Sequence, residues 1–215
     1  LTSVPLILAA TGELVAEKSG VLNLGVEGMM LMGAVAAFGA ALVTGSPYLG
    51  IISGGMAGMA TAAVFALFTL GLATNQVATG LALTIFGTGL SGLVGAPLVG
   101  QAIEGLPELH IGMLAQIPVL GAAFKLDIMA YGCIFLVALT AWFLSSTRAG
   151  LILRSVGINH DSAHALGYPV LMIRSLAVLF GGFMAGLGGA YLPLVLTPHW
   201  AEGMTAGRGW IALAL

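Results

Sequence analysis

Apolar residues fill this chain in long blocks separated by short polar clusters. Blocks of about 20 residues have the length of helices that cross a bilayer, too long for strands and too uniformly apolar for surface helices. Leu1–Ala16 reads as the later part of one span, interrupted by Glu13 and closed by Glu17-Lys-Ser-Gly20. Val21–Val43 reads as a second span with Glu27 inside it, followed by a turn at Thr44-Gly-Ser-Pro47. Tyr48–Gly71 and Leu72–Gly95 read as a third and a fourth, with Asn75 and Gln76 near the start of the fourth. Ala96–Asp127 is a long loop holding three prolines. Ile128–Leu144 is a short fifth span, Ser145–Arg174 a charged cytoplasmic loop, and Ser175–Leu196 a sixth span. Thr197–Arg208 is a polar outer connection, and Gly209 opens a seventh apolar run. The pattern predicts an all-α membrane protein, a polytopic helical bundle of about six to seven spans in a single domain over 1–215. Residue 1 is Leu and both ends fall inside apolar runs, so the chain reads as a fragment truncated at both ends.

Composition agrees with the pattern. Of 215 residues, 59% are hydrophobic and 7% charged, with a mean hydropathy of +1.10, whereas soluble domains carry about 25% charge. That excludes an ordinary cytosolic enzyme or a disordered tail. A net charge of −2 leaves no basic footprint for nucleic acid. The lone cysteine, Cys133, says nothing of redox compartment. Lys18, Arg148, Arg154 and Arg174 fall on one side of the alternating spans and Lys125 and Arg208 on the other, which favours the first side as cytoplasmic. Gly50, Gly54 and Gly58 share a helix face, as do Gly182 and Gly186; such faces let helix backbones approach closely in lipid.

Polar residues inside apolar runs are the candidates for function. A charge at mid-bilayer costs about 2.5–3.5 kcal/mol on insertion scales, so Glu27 should face protein, water or a partner. It ends Gly20-Val-Leu-Asn-Leu-Gly-Val-Glu-Gly28, where three glycines and Asn23 interrupt the apolar pattern. This predicts a broken or re-entrant segment near residues 20–28, with Asn23 and Glu27 either beside the pathway or pinning the break. Asn75 and Gln76 fit a helix cap or the same pathway. His199 and Glu202, in the outer connection, are candidates to face a ligand or an extracytoplasmic partner.

Catalysis finds little support. Gly89-Leu-Ser-Gly92 matches the GxSG of rhomboid-type intramembrane proteases, but none of the four histidines, His110, His160, His164 and His199, lies inside a span where it could serve as base. There is no HExxH, no Cys/His cluster at metal-ligand spacing and no Walker A sequence. The expectation is no catalytic residue, no metal and no cofactor bound by this chain.

The charged loop carries a further pattern. Gly157-Ile-Asn159 marks a turn, Asp161 suits a helix start, and a short helix over Asp161–Leu166 would be capped by Gly167 and stopped by Pro169. Asp161-Ser-Ala163, three residues, then Gly167 resembles the EAA-and-Gly coupling motif of ABC-importer permeases. Leu153-Arg-Ser-Val-Gly-Ile-Asn159 looks like the opening of that loop in the branched-chain amino acid, ribose and nucleoside permease family. Glu17-Lys-Ser-Gly-Val-Leu-Asn-Leu-Gly-Val-Glu-Gly-Met-Met30, Asn75-Gln-Val-Ala-Thr-Gly-Leu-Ala-Leu83 and Thr205-Ala-Gly-Arg-Gly-Trp-Ile-Ala-Leu213 are similar to its simple-sugar/nucleoside subgroup.

That resemblance implies a permease domain in a bacterial-type plasma membrane, with a coupling loop at 145–174 and further helices missing chiefly at the C-terminus. It implies a second permease subunit, an ATPase subunit that holds ATP and Mg, and an extracytoplasmic substrate-binding protein. Gly157, Asn159, Asp161, Ser162, Ala163 and Gly167 would meet the ATPase. The solute would be a nucleoside or simple sugar, moved by alternating access, with a branched-chain amino acid or ribose permease as the alternative. A stand-alone carrier or channel is the alternative of another class.

Overall fold

The computed structural model describes residues 2–107 and 126–215; His110 and Lys125 of the expected outer loop lie outside the described residues. The described chain is helical. In order, the helices are α1 (Val4–Lys18), α2 (Val26–Thr44), α3 (Pro47–Ala66), α4 (Gln76–Gly95), α5 (Ile128–Ser146), α6 (Arg148–Ile158), α7 (His160–Ala165), α8 (Val170–Tyr191) and α9 (Arg208–Leu213). α3 and α8 run on through π turns at Leu67–Gly71 and Leu192–Leu196, and α4 through a 3-10 turn at Ala96–Leu98.

Five of these elements are long and apolar enough to cross a membrane: Val26–Thr44, Pro47–Gly71, Gln76–Leu98, Ile128–Ser146 and Val170–Leu196. The six to seven spans expected from the pattern are therefore too many for the described residues. The first apolar block contributes a helix of 15 residues and the last one of six, and neither is among these five. Other boundaries shift for local reasons. α2 begins at Val26 rather than Val21, because the Asn23 side chain accepts the Gly25 N–H and ends the preceding extended stretch. α4 begins at Gln76, with Asn75 as its N-cap, its side chain accepting the Ala78 N–H. α8 begins at Val170, directly after Pro169, and so includes Arg174.

α8 is the central helix, and glycines set how closely its neighbours approach. Gly182 and Gly186 face Gly58 and Gly54 of α3, running antiparallel; a methyl group added to Gly58 would stand 2.6 Å from the Gly186 Cα. Gly33 of α2 meets Gly186, and Gly12 of α1 meets Gly181 and Met184. In lipid no hydrophobic force drives helices together, so dispersion across such backbone contacts holds the bundle. Both small-residue faces read from the sequence thus take part in packing. α4 joins through Gly80 and Gly87, which lie on Leu24–Gly25 and Gly28 of α2. α5 packs chiefly against α1 and α6 and leaves Ile134, Phe135 and Trp142 exposed, as suits a helix facing lipid.

Candidate functional site

Two places gather the polar residues singled out by the sequence. The first lies where α1, α2 and α4 meet. Ser19–Gly25 is non-helical and joins α1 to α2, which agrees with the expected break. Its polar groups are held from three sides. The Asn23 N–H donates to Glu13 Oε1 at 3.0 Å, its side-chain oxygen accepts from the Gly25 N–H at 3.0 Å, and its amide nitrogen lies 3.4 Å from Met29 Sδ. The Leu22 N–H donates to Gln76 Oε1 at 2.9 Å, and Thr84 Oγ1 donates to the Leu24 carbonyl at 3.0 Å. Asn23 is fully buried and Glu13 is 3% exposed. Asn23 and Gln76 therefore stabilise the break, and Asn75 caps a helix.

Glu27 sits in the first turn of α2, inside the candidate span Val26–Thr44 and directly after the break. The adjacent Gly28 packs on Leu83 and Thr84 and against Gly87, so Glu27 stands about 10–17 Å along α4 from Gln76. Glu27 is 7% exposed, and both its carboxylate oxygens are engaged. Oε1 accepts from Thr205 Oγ1 at 2.5 Å and from the Gly207 N–H at 2.9 Å, and Oε2 accepts from the Gly209 N–H at 2.6 Å. Glu27 thus satisfies the free N–H groups that open α9, where an anion is favoured. Gly209 has to be glycine, since a Cβ there would lie 2.6 Å from the Glu27 Cα.

These partners were missed from the sequence. The signal was present: a buried carboxylate needs donors, and Gly207-Arg-Gly209 at the head of an apolar run offers bare N–H groups. Thr197–Arg208, expected to be a polar outer connection, runs from beside 99–102 to the head of α9 with Trp200 and Thr205 buried along it. Ala102 and His199 pair as an isolated bridge, and the exposed His199 stays at the outer end beside 99–102. Trp200, 2% exposed, packs its indole on Gly95, Glu202 lies beside Gly92, and Thr205 reaches Glu27. Arg208 closes the turn, its Nη1 donating to the Met204 and Thr205 carbonyls at 3.2 Å.

The second place is the stretch from Ser145 to Arg174, where α6 and α7 lie between the end of α5 and the first turns of α8. α6 is nucleated by Thr147, whose side chain accepts the Gly150 N–H. It runs through Gly157, where a turn was expected. Gly157 lies directly on the Lys18 carbonyl, too close for any side chain. Arg174 grips the same point, its Nε donating to the Ser19 carbonyl at 3.0 Å. α7 begins at His160, one residue before the expected start, with Asp161 in its first turn and Asn159 as its cap, the Asn159 side chain accepting the Ser162 N–H at 3.0 Å. Gly167 follows at φ +86°, the left-handed conformation that ends the helix. Ala163 turns inward, buried, while Asp161, Ser162 and Leu166 are exposed.

An apolar cavity of about 560 Å³ lies between α1, α5, α6 and α8, walled by Val15, Leu136, Trp142, Leu153 and Phe180 among others. It offers a polar solute almost nothing to bond. Among the described residues no group of His, Cys, Asp and Glu is placed to hold a metal ion.

The chain matches the family described as branched-chain amino acid transport system / permease component over residues 1–215, and it belongs to that family. It is 43% identical over 215 residues to the putative glucose ABC transporter permease protein TsgC13 of Haloferax volcanii, covering 98% of this chain and 65% of that protein. It is 32% identical over 224 residues to the guanosine ABC transporter permease protein NupQ of Bacillus subtilis, covering 98% of this chain and 70% of the relative. With the nucleoside ABC transporter permease protein NupC of Lactococcus lactis it shares 31% identity over 224 residues, 99% of this chain and 71% of that protein. The chain therefore spans about two thirds of the length of these relatives. Family membership and the five apolar helices make it a multi-pass membrane protein.

Proposed function

We propose that this chain forms the greater part of a permease subunit of an ATP-driven importer for a nucleoside or simple sugar, seated in a bacterial-type plasma membrane. The observation that carries the proposal is α7. It is a six-residue helix, capped by Asn159 and ended by Gly167, and it projects exposed residues between the spans α5 and α8. Such a helix suits docking into a cleft of a soluble partner, and its neighbours α6 and α8 are both fastened to the end of α1. An ATPase subunit would hold ATP and Mg and press on α7. A second permease subunit would complete the path, and an extracytoplasmic binding protein would deliver solute at the outer end, where His199 is exposed. The names of the three relatives above favour a sugar or nucleoside over a branched-chain amino acid. Of the two buried acidic groups that could serve a stand-alone carrier by loading and releasing ions, Glu27 is occupied by three donors, and Glu13 keeps one oxygen without a partner.

The test is a pull-down of the full-length protein from membranes, expressed with its genomic neighbours, with residues 157–168 intact or replaced by a Gly/Ser linker. Recovery of an ATPase with the intact segment and its loss with the linker is expected. An intact protein that brings down no ATPase in mild detergent with ATP, yet still transports solute, would refute the reading.

A further inference from the structure

Two buried glutamates flank the break, and they are held differently. Glu27 accepts three hydrogen bonds, two of them from backbone N–H groups at the head of α9. That many donors suits a carboxylate. Glu13 of α1, 3% exposed, accepts one, from the Asn23 N–H to Oε1 at 3.0 Å, and its Oε2 is buried without a partner. A carboxylate taken out of water needs several donors or a cation, and without them it keeps a proton instead. One bond accepted on one oxygen is what the carbonyl of a neutral carboxyl group takes, with the proton on the other oxygen. An unpaired O–H costs far less to bury than a bare charge.

No cation answers Glu13. On α1 itself, Glu17 lies one turn further on and is another acid, and Lys18 is exposed. α2, α5, α6, α8 and α9 pack against α1. Arg174 of α8 donates to the Ser19 carbonyl, and Arg208 of α9 to the Met204 and Thr205 carbonyls. On α6, Arg148 is exposed and Arg154 is half-buried. Asp127, the cap of α5, and Glu27 of α2 are acids with donors of their own. Among the described residues none of these cations forms an ion pair with Glu13. Ala9, one turn before Glu13, and Val21 and Met29, on either side of Asn23 in the chain, are buried in one apolar cluster. Asn23 itself lies in the non-helical stretch Ser19–Gly25, so its bond to Glu13 ties the break to α1.

We propose that Glu13 is a proton-binding site that controls the break: Ser19–Gly25 packs while Glu13 is a neutral carboxyl group accepting the Asn23 N–H, and loosens when water enters and takes the proton. Hydrated in a loosened break, a glutamate is ionised above about pH 4.3. The packed state then holds one proton more than the loosened one. Packing is therefore favoured by acid, and each unit of pH above that value weakens it about tenfold until the packed group itself titrates. The proposal concerns the break alone and does not depend on the solute or on ATP.

The experiment uses the full-length protein in lipid nanodiscs. The infrared difference spectrum between wild type and Glu13→Gln at neutral pH is expected to show a protonated-carboxyl C=O band in the wild type that the variant lacks. A difference confined to ionised-carboxylate bands would overturn the proposal. Hydrogen exchange then follows the Leu22, Asn23 and Gly25 amides, whose bonds go to Gln76, Glu13 and Asn23. After correction for intrinsic exchange, their protection should fall about tenfold per pH unit from about pH 5.5 to 7.5 in the wild type. In Glu13→Gln it should not change with pH, while Glu17→Gln should keep the wild-type slope. Wild-type protection that is independent of pH would overturn the proposal whether or not the variants fold. So would a slope that survives in Glu13→Gln, or one that Glu17→Gln removes. Glu13→Met, which is also unable to ionise, replaces Glu13→Gln if the glutamine variant does not fold.

Discussion

Replacing Glu27 by Gln isolates what its charge does for the fold. Three donors converge on two carboxylate oxygens, and two of the three are backbone N–H groups, of Gly207 and Gly209, that cannot reverse their polarity. Glutamine brings one oxygen and one NH2. With the oxygen in the place of Oε1, the NH2 faces the Gly209 N–H; flipped, it faces the Gly207 N–H, while the Thr205 hydroxyl can turn to accept. Either way one buried backbone donor is orphaned, at about 1–3 kcal/mol, and the surviving bonds lose their charge assistance. The expected cost is about 2–4 kcal/mol, which at about 2–4 °C per kcal/mol for a chain of this size lowers the melting temperature by about 5–15 °C. Glu27→Ala, which orphans all three donors, should fall further. Cys133, buried at 2% exposure in α5, supplies the assay. A thiol-reactive fluorophore reports its exposure as the detergent-solubilised protein is heated. A Gln variant that melts with the wild type would refute the view that the carboxylate holds the head of α9, even if transport were lost.

Three further substitutions probe the rest of the architecture. Asn159→Ala removes the cap of α7 and should cost that helix about 0.5–2 kcal/mol, read as weaker ATPase recovery in the pull-down with an unchanged melting temperature; full recovery would show that the cap is dispensable for docking. Gly58→Val drives a branched side chain into the Gly182 carbonyl and Gly186 backbone of α8, and should lower the amount of folded protein in detergent several-fold, whereas Ile52→Val on the exposed face of the same helix should not. Asp127 accepts from the Tyr191 hydroxyl at 2.7 Å and the Ala130 N–H at 2.9 Å. Asp127→Asn should be mild, because the tyrosine hydroxyl can reverse, while Asp127→Ala should cost about 1–3 kcal/mol; equal melting temperatures for the two would count against this pairing.

The parts legible in the sequence were those that depend on local pattern. The long apolar blocks gave spans, Asn23 with its flanking glycines gave the break, and Gly167 with Pro169 gave the end of α7. The span count differed, since six to seven apolar runs were read and five helices among the described residues are long and apolar enough to cross. The partners of Glu27 lie about 180 residues away in the chain, and no periodicity links them. Gly157 misled for a related reason. Glycine followed two residues later by Asn reads as a turn, but here the missing side chain serves a close approach to α1, and the helix continues through it.

The two polar places are not independent. α6 rests on the Lys18 carbonyl through Gly157, and α8 holds the Ser19 carbonyl through Arg174. Both elements that flank α7 therefore grip the point where α1 stops and the non-helical stretch begins. From there the chain has only six more residues before the first turn of α2. Along that stretch Leu22 is tied to Gln76, Asn23 to Glu13, and Leu24 to Thr84. A stretch without helical hydrogen bonds can change its φ and ψ angles at far lower cost than a helix, so it is where relative movement of the packed helices is absorbed. Under the importer reading, force on α7 reaches Ser19 and Gly20 first, through rigid helices. It meets Glu27 and the head of α9 only across residues whose bonds are to side chains of α1 and α4. Under that reading, the break near residues 20–28 is the place for a hinge between α6–α8 and the Glu27 junction.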